Sequence, residues 1–430
     1  MNFLPKCRGF SPNTPTSSVK LARPSFQYGC CLFSTPLQQC APEEALENLR
    51  SKFGTHAGAR VAFAPYRVCP LGAHVDHQFG EVMAGALDVG ITIAFAPRTD
   101  RVVNVYSVML DDTCHCSWDD LSQTTHWSRF LVGAMWSLTQ KGRAADWVGM
   151  DAVVLGAGMA SGLSSSAAIG IAYLLALADC NNVVLEQQQL IDLDACIEQE
   201  FMGLNNGTLD PGAIALSKAD HITHIQTRTN AFQHYAAGGQ FNLLAVYSGL
   251  SKALTPDNFN QRVQQSWDAA AAIGRHCGRI LESPRLGDYS PLEYAAAKTT
   301  LEPTQQLRAE HFFTETERVR KGLDAWRQGD VSRLGALLTA SAESSMQNYE
   351  CGATPVRDLV RSLQTAPGVA GARFCGPGFR GCCIALLDGS VASADVVAQA
   401  QEQYAKKHPT LSDQVWATEC VISDRAGVLA

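Results

Sequence analysis

No lysine stands in the glycine- and serine-rich run Gly156–Ala168, so the run is not a P-loop, which requires Gly-Lys-Ser/Thr. No apolar stretch reaches the ~18–20 residues needed to cross a bilayer. No basic stripe carries interleaved aromatics, and 34 Lys and Arg against 41 Asp and Glu leave a net charge of −7. Nucleic acid is therefore not an expected partner. Cys114-x-Cys116 lacks a second pair at zinc-finger spacing, which removes a metal framework. There is no secretory leader, so the 15 cysteines read as reduced thiols inside a cell. No acid precedes Glu43, whereas Lys6, Arg8, Lys20 and Arg23 do, among many Ser, Thr and Pro. Residues 1–42 are expected to be a disordered extension. Their composition also resembles a transit peptide, which leaves a cytoplasmic or a plastid address.

What is present is a large apolar share. Apolar residues make up 46% of a chain of 430, enough for a sizeable core and long for a single one. Pattern predicts helices over 42–53, 127–140, 184–202, 258–276, 303–327, 331–347 and 392–405. Strands are expected at 60–64, 89–95, 101–107, 151–155, 241–247, 369–375, 382–388 and 415–422, with a mixed stretch at 208–226. The elements lack the regular alternation of a doubly wound sheet, so the expected class is α+β with two domains. Gly238-Gly239 follows a polar stretch and places the boundary within 228–240, dividing the chain into 43–235 and 236–430. Gly376-Pro-Gly378-Phe-Arg-Gly381 has the spacing of a dinucleotide fingerprint. It runs into the strand-like 382–387 rather than a helix, which excludes a Rossmann reading.

Three runs carry chemistry. Gly156–Ala168 is built of small residues that let the backbone pass close to a ligand, and it opens an apolar helix. The hydroxyls of Ser164, Ser165 and Ser166 are expected to cap that helix, whose free N–H groups suit phosphate. The alternative is a flexible linker before a core helix. Ala64–Gly80 places Arg67, His74, Asp76 and His77 on a loop punctuated by Gly and Pro. His and Asp two apart can bind a polyhydroxylated ligand, and Arg can neutralise an anion, unless the loop is a solvated turn. The third run holds Glu198, late on a helix, and Asp210, after a glycine-containing loop. Phosphoryl transfer needs one carboxylate for magnesium and another for a hydroxyl proton, although both could be ordinary surface acids.

In this order the runs resemble the signature motifs of the GHMP small-molecule kinases, in the galactokinase branch. Arg67–Gly80 is similar to the galactokinase signature. Gly162-Leu-Ser-Ser-Ser-Ala-Ala168 is similar to the nucleotide loop, and Gly371–Cys382 to the glycine-rich C-terminal motif. The resemblance spans roughly 45–425. It implies the two-domain GHMP kinase fold with the active site in the interdomain cleft, and ATP with Mg2+ as cofactors. Asp210 would be catalytic, and Arg67 would face it and the anomeric oxygen. Glu198 and Ser166 would hold magnesium. Gly158, Gly162, Leu163, Ser164, Ser165 and Ser166 would bind the nucleotide, with Gly376 and Gly378 of the third motif. His74 and Asp76 would contact sugar hydroxyls. No protein partner is implied.

The departures point to the substrate. Galactokinases carry Glu where this chain has Ala73, and that Glu contacts the sugar's C6 hydroxyl. Ala removes a negative charge and opens space, as a C6 carboxylate would require, because like charges repel at close range. His77 replaces a Tyr and is a candidate donor to that carboxylate. Phe259 stands where relatives have Tyr, so a hydroxyl contact to the sugar is lost, and Pro211 replaces Gln. Cys69–Gln78, Asn348–Gly352 and Gly378–Cys383 resemble the galacturonokinase variant of these motifs. The resemblance therefore implies phosphorylation of the anomeric hydroxyl of D-galacturonic acid. Galactose, L-arabinose or glucuronate as substrate, or a sugar sensor without turnover, are the alternatives.

Overall fold

The computed structural model describes residues 37–54, 58–122, 127–142, 144, 146–157, 162–251 and 256–429. The chain opens with α1 (Pro42–Phe53), then β1 (Arg60–Leu71), β2 (Glu81–Pro97), β3 (Val102–Ser107) and β4 (Asp112–Ser117). There follow α2 (Arg129–Gln140), β5 (Met150–Gly156), α3 (Ser165–Cys180), α4 (Gln187–Cys196), α5 (Leu209–Leu216), β6 (His221–Gln226) and β7 (Ala231–Ala236). These strands form one sheet in the order β1-β2-β5-β3-β4, with β6 on the first half of β2 and β7 beside β6. Strands β3 and β5 run parallel; the other pairs are antiparallel.

Successive side chains in a strand point to opposite faces, and both faces of this sheet are buried. Val61, Ala94, Val153 and Leu155 pack on α1, through Ala45 and Leu49. Their neighbours Ala62, Phe95, Ala152 and Val154 join the core that holds α3. Helix α3 is apolar nearly all round and is buried along most of its length, as a central helix must be. That burial fixes its first turn against β1, which carries Arg67.

The second half adds β8 (Asn242–Tyr247), α6 (Pro256–His276), α7 (Pro291–Ala297), α8 (Pro303–Gln328), α9 (Val331–Gln347) and α10 (Thr354–Thr365). It continues with β9 (Val369–Phe374), β10 (Cys382–Leu387), α11 (Ser393–Ala405), α12 (Pro409–Ser412), β11 (Ala417–Cys420), β12 (Ile422–Ser423) and β13 (Gly427–Leu429). A second sheet, β11-β8-β10-β9, is antiparallel throughout and shares a core with α9, α10 and α11. Among the described residues no helix is long and apolar enough to cross a membrane.

Three expectations need correction. Leu37 is buried, Gln38 N–H donates to the Ala157 carbonyl at 3.0 Å, and Gln39 bonds Thr92 and Gly90, so the expected disordered extension does not run to residue 42. The remainder of that extension, residues 1–36, lies outside the described residues. The division at 235/236 is also too simple. Ala269, Ile273 and Phe312 of α6 and α8 join the first core, and β12 and β13 pair with β2 and β1. Finally, the polar stretch after residue 228 contains β7, and 354–365, assigned to nothing, is α10.

Arg67, expected on a loop, lies in β1, and a buried charge cluster supports the loop that follows it from Gly72. Glu315 of α8 accepts from Gly72 N–H at 2.8 Å and from Ser341 at 2.6 Å, and pairs with Arg318 at 2.6 Å and Arg373 at 3.5 Å. Burial raises its pKa, but Arg318 and Arg373 outweigh this and hold Glu315 at about 2. Its contribution to stability is full above the ordinary carboxylate range and is lost as pH falls toward 2. Glu315→Ala leaves the fully buried Arg373 unpaired and should cost about 3–5 kcal/mol, measured by denaturant unfolding at neutral pH.

Candidate active site

Helix α3 starts at Ser165, after Ser164 in the left-handed region at φ 60°. The expected side-chain caps are absent there. The Ser164 hydroxyl instead donates to Asp210 Oδ2. Ser165 and Ser166 occupy the first turn, and buried Leu163 offers its carbonyl to Arg67 N–H at 3.1 Å. Gly158 lies outside the described residues. Gly162 has φ +91°, and a Cβ there would lie 2.7 Å from Cys382 N. Gly376, at φ +76°, backs onto Gly162 O, where a Cβ would sit at 3.1 Å. The nucleotide-loop and C-terminal motifs thus meet backbone to backbone, which larger residues would prevent. Gly378 does different work: its carbonyl accepts from Ala353 N–H at 2.9 Å, in a turn against Phe374.

Arg67 ties these segments together. Its side chain is 2% exposed, and Nε donates to Asp210 Oδ1 at 2.7 Å. Nη1 donates to the Gly162 carbonyl at 3.2 Å and to Cys375 Sγ at 3.3 Å. Asp210 stands in the first turn of α5, where the helix dipole favours a negative charge, and its side chain keeps 25% exposure. One carboxylate therefore touches a fixed cation and a hydroxyl of the glycine-serine loop while remaining open to a ligand.

Glu198 lies on a single π-helical turn, Ile197–Phe201, that continues directly from α4 and ends the helix. Such turns re-aim side chains. Asn206 donates to Glu198, and a hydrogen bond joins it to Ser166. Burial and then Asp210 push Glu198 up to about 7. One turn earlier, Asp194 is 1% exposed with neither oxygen partnered among the described residues, and it is pushed well above its ordinary range by burial, Glu198 and Asp210. Buried carboxylates with so little neutralisation fit a neighbouring cation. Among the described residues no three His, Cys, Asp or Glu side chains are grouped to hold a metal alone. Mg2+ is bound by one or two carboxylates together with substrate phosphates, and Glu198 beside Ser166 offers one such carboxylate.

The sugar-signature residues form a second group, joined to the Asp210 turn through Asp76. Asp76 accepts from Leu209 N–H at 3.3 Å, and burial with Asp210 raises it to about 6. His74 stacks on Tyr349 at 4.3 Å and meets Cys351 Sγ at 3.3 Å. Ala73 is buried, with its carbonyl bound to His311 at 2.9 Å. Phe259 meets His77 edge-on at 6.2 Å. His77 does not match its expected role as a carboxylate donor. Both ring nitrogens are engaged, by Gln78 at 2.9 Å and Tyr349 at 2.9 Å, and burial holds it neutral with a pKa near 3.

The chain is similar to known proteins over most of its length. The profile "GHMP kinases N terminal domain" matches residues 131–218, and "GHMP kinases C terminal" matches 320–406. "Galactokinase galactose-binding signature" matches 47–97. A protein named galacturonokinase, from Arabidopsis thaliana, is 36% identical over 392 residues, covering 86% of this chain and 92% of its own. The chain is a GHMP kinase. It belongs to the galactokinase branch: a galactokinase of Staphylococcus saprophyticus is 30% identical over 80% of this chain and 90% of its own. The crystal structure of Lactococcus lactis galactokinase complexed with galactose superposes with a TM-score of 0.81 at 25% identity, over 89% of this chain and 98% of that one. The GHMP kinase fold, with N- and C-terminal domains, is thereby shown for this chain.

Motif reading missed Asn206, Asp194, Cys375 and Tyr349 at this kinase's site. Asp194 had a signal, since it precedes Glu198 by one helical turn. Cys375 and Tyr349 lie within the quoted runs Gly371–Cys382 and Asn348–Gly352, but nothing there pairs them with Arg67 and His77, 308 and 272 positions away.

Proposed function

We propose that this GHMP kinase transfers the γ-phosphoryl group of ATP to the anomeric hydroxyl of D-galacturonic acid, giving galacturonic acid 1-phosphate and ADP. The observation that carries the reading is the Arg67–Asp210 pair at 2.7 Å, beside the Ser164 hydroxyl and next to the sugar-signature loop. Ala73 in place of an acid, and the relative named galacturonokinase, support the sugar acid.

In this mechanism Asp210 takes or orients the O1 proton as O1 attacks the γ-phosphorus and the bond to the β-phosphate oxygen breaks. Arg67 pairs with Asp210 at 2.7 Å and offsets charge on the transferred group. Backbone N–H groups of the 158–166 loop hold the phosphates. Ser166 and Glu198 would hold Mg2+, which when bound supplies positive charge to the β- and γ-phosphates. Positioning and preorganised charge provide most of the acceleration.

The test is ADP release by the purified protein with galacturonate, galactose, L-arabinose and glucuronate. Galacturonate should give the highest kcat/KM. A higher value for galactose overturns the substrate, and no sugar-dependent ADP formation overturns the kinase in favour of a sensor. Chelation by EDTA should abolish ADP release, and added Mg2+ should restore it.

A further inference from the structure

Beside the segment that backs the sugar-signature residues, one cation is short of partners. Arg262 lies in α6 one turn after Phe259, behind the segment 349–351 whose side chains touch His74 and His77. Its Nη2 reaches the Glu350 carbonyl at 3.5 Å and its Nη1 reaches Gln265 Oε1 at 3.3 Å. Both contacts are long. Gln265 Oε1 is already held by Arg308, at 3.0 Å from Nε and 2.7 Å from Nη2. Arg262 Nε is buried and has no partner among the described residues. Arg67 is committed to Asp210, Gly162 and Cys375, and Arg308 to Gln265, Asn348 and Glu350, while Arg373, whose Nη2 also lacks a partner among the described residues, is neutralised by Glu315 at 3.5 Å.

A relay orients a second donor. Leu286 N–H donates to Gln78 Oε1 at 3.1 Å, which fixes that amide with Nε2 toward His77 Nδ1 at 2.9 Å. An amide nitrogen only donates, so Nδ1 accepts and the imidazole proton sits on Nε2. Nε2–H then donates to Tyr349 Oη at 2.9 Å. The hydroxyl proton of Tyr349 is left for donation, and its ring stacks on His74 at 4.3 Å, within the sugar-signature loop. The histidines cannot supply charge: burial lowers His74 well below its usual range, His77 to about 3 and His311 to about 4.

We infer that Arg262 and Tyr349 together seat the C6 carboxylate of the sugar acid, in the space that Ala73 leaves open. The inference rests on the function proposed above. The guanidinium supplies charge with a planar fork of donors, and the phenol adds a directed O–H. In a pocket already holding Asp76 and Asp210, an acidic substrate needs that compensation.

The experiment measures kcat and KM for galacturonate and galactose in wild type, R262Q, R262K and Y349F, with unfolding curves for each. R262Q should lower the galacturonate-to-galactose ratio of kcat/KM by about 10- to 100-fold, mainly through KM. R262K keeps the charge without the fork, so its ratio should fall less; it carries the test if R262Q does not fold. Y349F should lower the ratio by about 10-fold, since it deletes one hydrogen bond to a charged group. Equal losses on both sugars, or an unchanged ratio, overturn the seat alone. A wild-type preference for galactose overturns the substrate reading and the seat with it.

Discussion

Asp210→Asn should lower kcat by about 10²–10⁴-fold while leaving the Kd for ATP within roughly threefold of wild type. The substitution keeps the shape of the side chain and removes its charge and its ability to take a proton. Arg67 would then face a neutral amide where it now holds a carboxylate at 2.7 Å, so its charge would no longer be balanced by position 210. Besides the Ser164–Asp210 bond, which an amide oxygen at 210 can still accept, the nucleotide loop is held by the backbone contact between Gly162 and the Cys375–Cys382 turn and by the first turn of α3. Binding and chemistry should therefore separate. Single-turnover rates and nucleotide titration would check this. An Asp210→Asn enzyme with wild-type turnover would show that the proton goes elsewhere, whereas equal loss of binding and turnover would give Asp210 a role in holding the nucleotide.

Ala73→Glu should reverse sugar preference. Two like charges about 4 Å apart at a partly screened site repel by roughly 4 kcal/mol, a factor approaching 1,000. Arg262 would offset part of that, so a fall of roughly 100-fold in the galacturonate-to-galactose ratio of kcat/KM is expected. The gain for galactose is smaller, because it comes from one added hydrogen bond to a hydroxyl. Ala73 is buried, so the larger side chain must enter the sugar space rather than swing into solvent. Steady-state kinetics on both sugars would check the reversal. An unchanged ratio would mean that position 73 does not face the C6 substituent.

The architecture was legible where pattern is strong. The apolar run 169–178, the strands around 60 and 242, and the long helices of 303–327 and 331–347 stand close to where periodicity places them. Helix α10 was missed although its Pro355 stands at the first turn and its apolar residues recur at helical spacing. Strands β12 and β13 are too short to show a period, and only their pairing with β2 and β1 makes them strands. The carboxylates and Arg67 could be placed at a site because their residue types are few in such runs. The hydrogen bonds of that site could not be placed, and the expected serine caps and His77 donor show why. Each side chain has several stereochemically allowed partners, and burial removes the option of water.

By itself the sequence determined the family, the phosphoryl-transfer chemistry and the absence of an acid at position 73, since these depend on residue types in short, ordered runs. Only the tertiary structure decided which polar atoms are taken and which are open. It joins Ser164 to Asp210 across 46 positions, occupies both nitrogens of His77, and leaves Arg262 Nε without a partner among the described residues. The physical reason is that a hydrogen bond is a relation of distance and direction between atoms, and residues far apart in the chain acquire one only when packing brings them together.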